Sequence, residues 1–434
     1  MAGQNENSKL KMVEDELIKI ENETEKEIKK LKSVSKIIGP GVVTGASNDD
    51  PSGIITYSSA GAQYGFGLNW LTVFAFPMMI AMQEISARIG IVTGKGLAGV
   101  LRIYSNKTAL YLLVSMLVIA NTINIGADLG AMAAVAQLIW DIPVWLYLIF
   151  FACILLFLEV FISYKKYAHI LKWLTLSLLA YFVTALIVTN SWSDIGRSII
   201  EANFSFDKNY LLIVVGFLGT TISPYLYFWQ ASEEIEEAVS PSPKQVKLMR
   251  MDVFLGTLFS QATAFFIIIT TALTLHANGI TQIDSAVQAA QALVPLAGQF
   301  AALVFAIGII GTGMLAIPVL AGSGAYAVAE SFSWKEGLSL KYRQAKGFYG
   351  VIIASTIIGL LMNFIGINPM KALIYAAVVN GIAAVPLIAL MVKIGADKKI
   401  MGRYTNSWFS NYFGWLTFGV MGLAVILMFW GFWR

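Results

Sequence analysis

The sequence predicts an all-α, polytopic membrane protein of about eleven transmembrane helices, and three observations carry that prediction. Of its 434 residues, 57% are hydrophobic and 13% charged, with a mean hydropathy of +0.70. A soluble chain of this length needs far more charge to cover its surface. Apolar runs near the twenty residues that carry a helix across a bilayer recur along the whole chain. Finally, 26 of the 30 Lys and Arg fall in the N-terminal arm or in alternate loops, which is the positive-inside pattern of a chain with its N-terminus in the cytoplasm and its C-terminus outside. One misplaced segment would scramble that alternation.

Taken in order, residues 1–36 are polar and rich in Lys and Glu. Leu10, Val13, Leu17 and Ile20 fall at helical spacing and the pattern fades at Thr24 and Glu27, so a cytoplasmic, partly helical arm is expected and a long coiled coil is not. No apolar run there precedes a small-residue cleavage site, so no signal peptide is expected. Membrane segments follow at about 37–63, 67–90, 109–138, 143–164, 168–190, 209–232, 252–275, 296–329, 347–366, 369–393 and 412–433. These divide into a core over 37–395, with halves at about 37–190 and 209–393, and a trailing loop and eleventh helix over 396–434. Arg197, Lys208, Lys371 and Arg434 alone escape the inner stretches. No extramembrane stretch is long enough for a second catalytic domain. The single cysteine, Cys153, rules out an intrachain disulfide, and two distant histidines, His169 and His276, argue against a His-based metal cage.

The first segment carries GPGVVTGASNDDPSG over 39–53. A carboxylate at membrane depth costs several kcal/mol and is rare unless it lines an ion or substrate path. Pro51 removes a helical hydrogen bond, and broken backbone is tolerated at that depth only inside protein or along a wet cavity. Asn48, Asp49 and Asp50 beside this break read as a cation site, with an extramembrane N-cap and Asp-Pro turn as the plainer alternative. The sixth segment has its own break in GTTISPY over 219–225, where Ser223-Pro224 follows Gly219, Thr220 and Thr221. Alone, that would be an ordinary proline kink. Matching interruptions in the first helix of each half point instead to an inverted-repeat transporter with a midplane site.

The third segment places Asn121, Asn124 and Asp128 on one helical face. Two readings stay open: a hydrogen-bonded seam between helices, and an ion or proton path. Glu84 and Arg88 are spaced for an ion pair, Glu159 for a contact with Lys165 or Lys166, and Asn380 is a polar group at depth with a chance of reaching the site. Below the sixth segment, SEEIEEAVSPSPK puts Glu233 and Glu234 with two further glutamates at a helix end, read either as a solvated end with a Pro-rich turn or as an inner ion vestibule.

These motifs resemble the NRAMP family of divalent metal transporters. The family's first-helix pattern GPGxxxxxxxxDPGN lies over 39–53 without a gap. IGIVTGKGLA at 89–98 and GADLG at 126–130 look like its second-loop and third-helix motifs, and GTTISPY takes the place of its G-A-x-x-M-P-H. The resemblance spans about 37–395. It implies the LeuT-like fold, two inverted five-helix repeats with broken helices 1 and 6 plus a trailing helix, working by alternating access.

The departures from the family pattern bear on the ion. The resemblance implies a metal site at Asp50, Gly53, Thr220 and Ser223, yet Gly53 stands where the family has Asn, Ser223 where it has Met, and Thr220 where it has the carbonyl-donating Ala. Thioethers favour softer metals, whereas oxygen-only surroundings suit Mg²⁺ and Mn²⁺. Mg²⁺ keeps several waters and binds through one or two carboxylates, so the sequence resembles the NRAMP-related magnesium transporters. The family's sixth-helix histidines correspond to Tyr225 and Gln230, and the acidic partner of its third-helix aspartate to Ala131, so proton coupling is not expected. Two charges entering an inside-negative cell gain roughly 4–5 kcal/mol per 100 mV, enough to drive uptake alone. The alternatives are a proton-coupled Mn²⁺ or Fe²⁺ transporter and a LeuT-like carrier of organic solutes. An enzyme is not expected, nor any cofactor beyond the transported Mg²⁺ or Mn²⁺. The expected partners are that metal ion and the lipid bilayer; nucleic acid is not among them, and a monomer is the expected unit.

Overall fold

The computed structural model describes residues 40–162, 177–201, 204–237, 241–366 and 368–433. The N-terminal arm, His169, Lys165 and Lys166 lie outside the described residues. Within them the chain is helical throughout, in the order α1 (Pro40–Asn48), α2 (Pro51–Tyr64), α3 (Trp70–Thr93), α4 (Leu97–Tyr104), α5 (Lys107–Gln137), α6 (Val144–Phe161), α7 (Leu179–Val188), α8 (Trp192–Ile200) and α9 (Lys208–Thr221). There follow α10 (Pro224–Glu236), α11 (Pro243–Thr274), α12 (Ala286–Gln291), α13 (Val294–Ala297), α14 (Ala301–Phe332), α15 (Lys346–Met362), α16 (Pro369–Ala396), α17 (Lys398–Met401) and α18 (Trp408–Trp433).

Nine stretches among the described residues are helical, long and apolar enough to cross a membrane. Two of the eleven segments expected from the sequence fall short of that length for visible reasons. The first is cut into α1 and α2 by the break at Asp49-Asp50, and the fifth is represented by α7, whose preceding residues lie outside the description.

Both expected interruptions are present, and they are built alike. Asp50 (φ −67°, ψ 169°) and Ser223 (φ −83°, ψ 135°) are extended N-cap residues, each followed by a proline at the first helical position of α2 and α10. Proline needs no amide partner there and disfavours the helical conformation in the residue before it. A single dipeptide in each half thus ends one helix and starts the next.

Burial separates the central helices from the rim. Of the apolar window in 208–236, which spans α9 and α10, 94% is buried, against 28% for α6 and for α18. The rim helices expose Phe150, Phe157, Leu423 and Ile426, side chains suited to lipid. Around the broken helices, α1, α2, α3 and α7 pack on α11, α9 packs on α16, and α10 on α3 and α14, while α5 lies against α14, α15 and α16.

Close approach depends on glycine. A Cβ on Gly45 would run into the backbone of Gly256 where α1 crosses α11, one on Gly219 into the backbone of Ala377 and Gly381 where α9 crosses α16, and one on Gly126 would sit 2.7 Å from the Gly359 carbonyl where α5 meets α15. Small residues at crossings are the usual means by which helices in lipid gain contact.

Candidate metal site at the two helix breaks

The Asp50 carboxylate is 1% exposed and serves two structures at once. Its Oδ1 accepts from the Gly53 amide at 2.7 Å and the Ser52 hydroxyl at 2.8 Å, which caps the first turn of α2. Its Oδ2 accepts from Asn124 Nδ2 at 2.8 Å and lies 3.4 Å from the Tyr225 hydroxyl. One buried carboxylate is therefore both the helix cap and the centre of the polar cluster. Asn124 Nδ2 also reaches Asp128 Oδ2 at 3.3 Å, so one amide bridges two carboxylates. The Tyr225 hydroxyl is 3.3 Å from the Ser47 carbonyl, across the break.

The second break faces the first. A Cβ on Gly53 would lie 3.1 Å from Thr220 Oγ1 and 3.2 Å from the Asn48 carbonyl, so the start of α2 and the end of α9 are nearly in contact. The hydroxyl of Ser223 turns back to the carbonyls of Gly219 and Thr220 and closes the end of α9. Gly53 contributes its amide to the cap and no side chain to the site. Met132, one turn beyond Asp128 on α5, was not anticipated from the sequence. Its sulfur lies 2.5 Å, and the Pro51 ring 3.4 Å, from where a Cβ on Gly313 would stand.

The remaining candidates divide by location. Asn121 donates to the Leu320 carbonyl and the Ser323 hydroxyl, so it pins α5 to α14 as a structural seam, while Asn124 and Asp128 on the same face reach Asp50. The seam reading of that face holds for Asn121, and the next turn of the same face meets the Asp50 carboxylate. Asn48 Nδ2 donates to Ser260 Oγ at 2.7 Å, and that hydroxyl donates to Asp49 Oδ1 at 3.0 Å, which ties both residues to α11. Gln230 accepts from Thr44 Oγ1 at 2.6 Å and donates to Glu234 at 2.9 Å, joining α1 to α10 below the site. Glu233 lies on the same buried end of α10. Asn380 neighbours Gly381 at the α9 crossing, with a buried side-chain oxygen that has no partner among the described residues.

Glu84 and Arg88 form more than a pair. At 3.2 Å from each other, they also hold Arg250 at 3.0 Å, Ser410 at 2.9 Å, the Thr405 carbonyl and Asn406 at 2.6 Å each, tying α3 to α11 and to the start of α18. Spacing gave the local partner only. Asp252 was likewise missed; it accepts from the Gly41 amide at 2.5 Å and holds the start of α1.

No described ion pair involves Asp49, Asp50 or Asp128. Six buried oxygens crowd the break, on Asn48, Asp49, Tyr57, Asn124, Asp128 and Thr220; contacts among Tyr57, Asn48 and Thr220, from Thr263 to Asp49 and from the Ser52 amide to Asp128 satisfy them only in part. Each such buried group costs about 1–3 kcal/mol unless something satisfies it. The arrangement can take up a positive charge and return lone pairs to it.

The comparisons with known proteins agree with this architecture. The family described as natural resistance-associated macrophage protein-like, Nramp, matches residues 41–431. The chain is 25% identical over 376 residues to the divalent metal cation transporter MntH of Verminephrobacter eiseniae, an alignment covering 85% of this chain and 83% of that one. It is also 25% identical over 394 residues to MntH of Caldanaerobacter subterraneus, covering 87% and 88%. Among solved structures, the manganese transporter of Eremococcus coleocola in complex with an aromatic bis-isothiourea substituted compound superposes with a TM-score of 0.73 at 17% identity, over 90% of this chain and 85% of that one. Mhp1, a nucleobase-cation-symport-1 family transporter in a closed conformation, gives 0.56 at 12% identity over 91% and 92%. The inverted-repeat architecture expected from the paired breaks, and the LeuT-like fold implied by the family resemblance, are those of these neighbours, and the chain belongs to the Nramp family.

Proposed function

We propose that the protein is a secondary transporter that carries divalent metal ions into the cytoplasm by alternating access around Asp50, with Mg²⁺ as its principal ion and without coupled protons. The observation that carries this reading is the group of incompletely satisfied buried oxygens around a carboxylate at two facing helix breaks. A divalent cation supplies the missing charge and accepts those lone pairs. The related chains named divalent metal cation transporter support the substrate class. The positive-inside alternation supports an N-terminus in the cytoplasm and a C-terminus outside.

The preference for Mg²⁺ follows from the donor set. The buried side-chain oxygens around the break belong to carboxylates, amides and hydroxyls, and Ser223 stands where the family pattern has a thioether. Hard oxygen donors suit an ion that keeps part of its water shell. Tyr225 and Gln230 occupy places where a titrating side chain would carry protons, and neither changes charge near neutral pH. Uptake then rests on the membrane potential.

One observation favours a second reading, transport of Mn²⁺. The Met132 sulfur stands near Pro51, and a solved structure similar to this chain is called a manganese transporter. Flux into proteoliposomes separates the two. With Mg²⁺ as principal ion, millimolar Mg²⁺ supports uptake and suppresses Mn²⁺ uptake, Met132→Leu leaves that competition unchanged, and the lumen does not acidify. Mg²⁺-insensitive Mn²⁺ uptake that Met132→Leu abolishes would establish the second reading. Acidification in step with metal entry would overturn the uncoupled mechanism.

A further inference from the structure

A second acidic cavity lies at the far end of α10 from the helix break. At 1.5 Å per residue, Ser232 and Glu236 of α10 put it about 14–20 Å from Ser223 along the same half-helix. The cavity has a volume of about 330 Å³ and is lined by Ser232 and Glu236 of α10, Tyr326 and Glu330 of α14, and Glu336 and Ser339 of the segment that follows. In the proposed orientation this is the cytoplasmic side.

Its walls are fixed by specific bonds. The Tyr326 hydroxyl donates to Glu236 Oε1 at 3.0 Å and accepts from the Leu338 amide at 3.2 Å, holding the loop against both helices. Gly337 adopts φ +133°, and a Cβ there would stand 2.6 Å from Glu236 Oε1, so only glycine lets the loop come this close. Glu330 Oε2 accepts from the Gly99 amide at 2.9 Å in the first turn of α4, which fixes its carboxylate at the rim.

Two groups facing the cavity are left over. Ser232 is 3% exposed and its hydroxyl has no partner among the described residues. One oxygen of Glu336 is buried and equally unpartnered. Burial, then the charges of Glu330 and Glu236, push the Glu336 carboxyl up to about 8, and Arg102 and Lys95 offset this only in part. Three acidic side chains and a buried hydroxyl thus line one cavity, with Glu330 held by the Gly96, Ala98 and Gly99 amides and Glu336 short of counter-charge.

Among the described residues, no three acidic, His or Cys groups stand close enough to chelate a bare ion. The cavity suits a hydrated one: six waters at about 30 Å³ each come to about 180 Å³, within the space present. Mg²⁺ gives up its waters reluctantly and is often held through them.

We propose that Ser232, Glu236, Glu330 and Glu336 form a second divalent-cation site, which binds a hydrated ion on the cytoplasmic side and, when filled, slows transport by tying α10 to α14. The consequence for transport rests on the reading of the chain as a divalent-ion carrier; the binding site does not. Alternating access requires the half-helix carrying Glu236 to move relative to its neighbours, and an ion bridging α10, α14 and the loop opposes that movement. A rise in internal free metal then closes its own entry route.

Binding of Mn²⁺ to the purified full-length protein, followed by electron paramagnetic resonance and calorimetry, tests the site. Two sites are expected in the wild type and one in Asp50→Ala. The remaining one should disappear when Glu236→Gln and Glu336→Gln are added, and should weaken several-fold with Ser232→Ala alone, a change too small to unfold the protein. No residual Mn²⁺ binding in Asp50→Ala, or residual binding indifferent to these substitutions, would overturn the site. Two sites in Asp50→Ala, one of them removed by the glutamate substitutions, would sustain this inference while removing Asp50 from the metal site. In proteoliposomes, millimolar Mg²⁺ preloaded inside should slow wild-type uptake several-fold and leave Glu336→Gln unaffected. Equal sensitivity of both to internal Mg²⁺ would overturn the feedback.

Discussion

The double duty of Asp50 allows its charge to be removed separately from its structural role. In Asp50→Asn the new amide oxygen can still accept from Gly53 N and Ser52 Oγ, because Asn caps a helix as well as Asp does. Its NH₂ then faces Asn124, whose own side-chain oxygen has no partner and can turn to accept from it. The substitution should cost less than about 1 kcal/mol of stability. Asp50→Ala has no such escape. It loses the cap and leaves the Ser52 hydroxyl and Asn124 amide short of an acceptor, roughly 2–4 kcal/mol together. Both variants lose the anionic ligand, so metal affinity at this site should fall by at least about 100-fold, equivalent to about 2.8 kcal/mol. Thermal unfolding in detergent, paired with Mg²⁺ calorimetry and flux, reads the two effects independently. The expected order is wild type close to Asp50→Asn in melting and well above Asp50→Ala, with neither variant transporting. Flux in Asp50→Asn within tenfold of wild type, or melting as low as that of Asp50→Ala, would refute the reasoning.

Other expectations follow from contacts farther out. Gly53→Asn should cut Mg²⁺ flux by tenfold or more, because its Cβ is pressed against Thr220 Oγ1 and the Asn48 carbonyl; adding Thr220→Ala should recover part of it. Arg88→Leu leaves the buried Glu84 with one of its two cations and strips the 404–406 segment of its donors, so melting should drop in line with about 3 kcal/mol or more of lost stability. Gly45→Leu drives a side chain into the backbone of Gly256 and should yield no monodisperse protein by size exclusion, whereas Gly196→Ala, with open space around it, should behave as wild type.

Much of the fold was legible in the sequence because its determinants are local. A proline after a capping residue marks a helix break wherever it occurs, and two such breaks in matching places imply the repeat. The Asn121–Asp128 face was legible as a face, since periodicity reports direction around an axis. Which partner each residue met was not: Asn121 meets α14 and Asn124 meets Asp50, one turn apart. The Glu84 network draws on residues more than 160 and 300 positions away, beyond the reach of any spacing rule. Met132 escaped notice because a methionine in an apolar helix carries no signal until its neighbours are known. Glu236 was visible only as charge at a helix end and Glu336 was not singled out, because their convergence needed the turn at Gly337.

The crossings at Gly45 with Gly256, Gly126 with Gly359 and Gly219 with Gly381 bear on how genetic data from this protein would read. Side chains interlocked at a crossing resist sliding, because they must leave one set of grooves and enter another. Bare backbone faces have no such ratchet, so neighbouring helices can shift past each other at little cost. A random mutagenesis screen for lost uptake should therefore collect hits along these glycine lines, remote from any bound ion. The milder of these alleles, in which the protein still folds, would leave equilibrium metal binding intact and lower the rate of exchange between the two membrane faces.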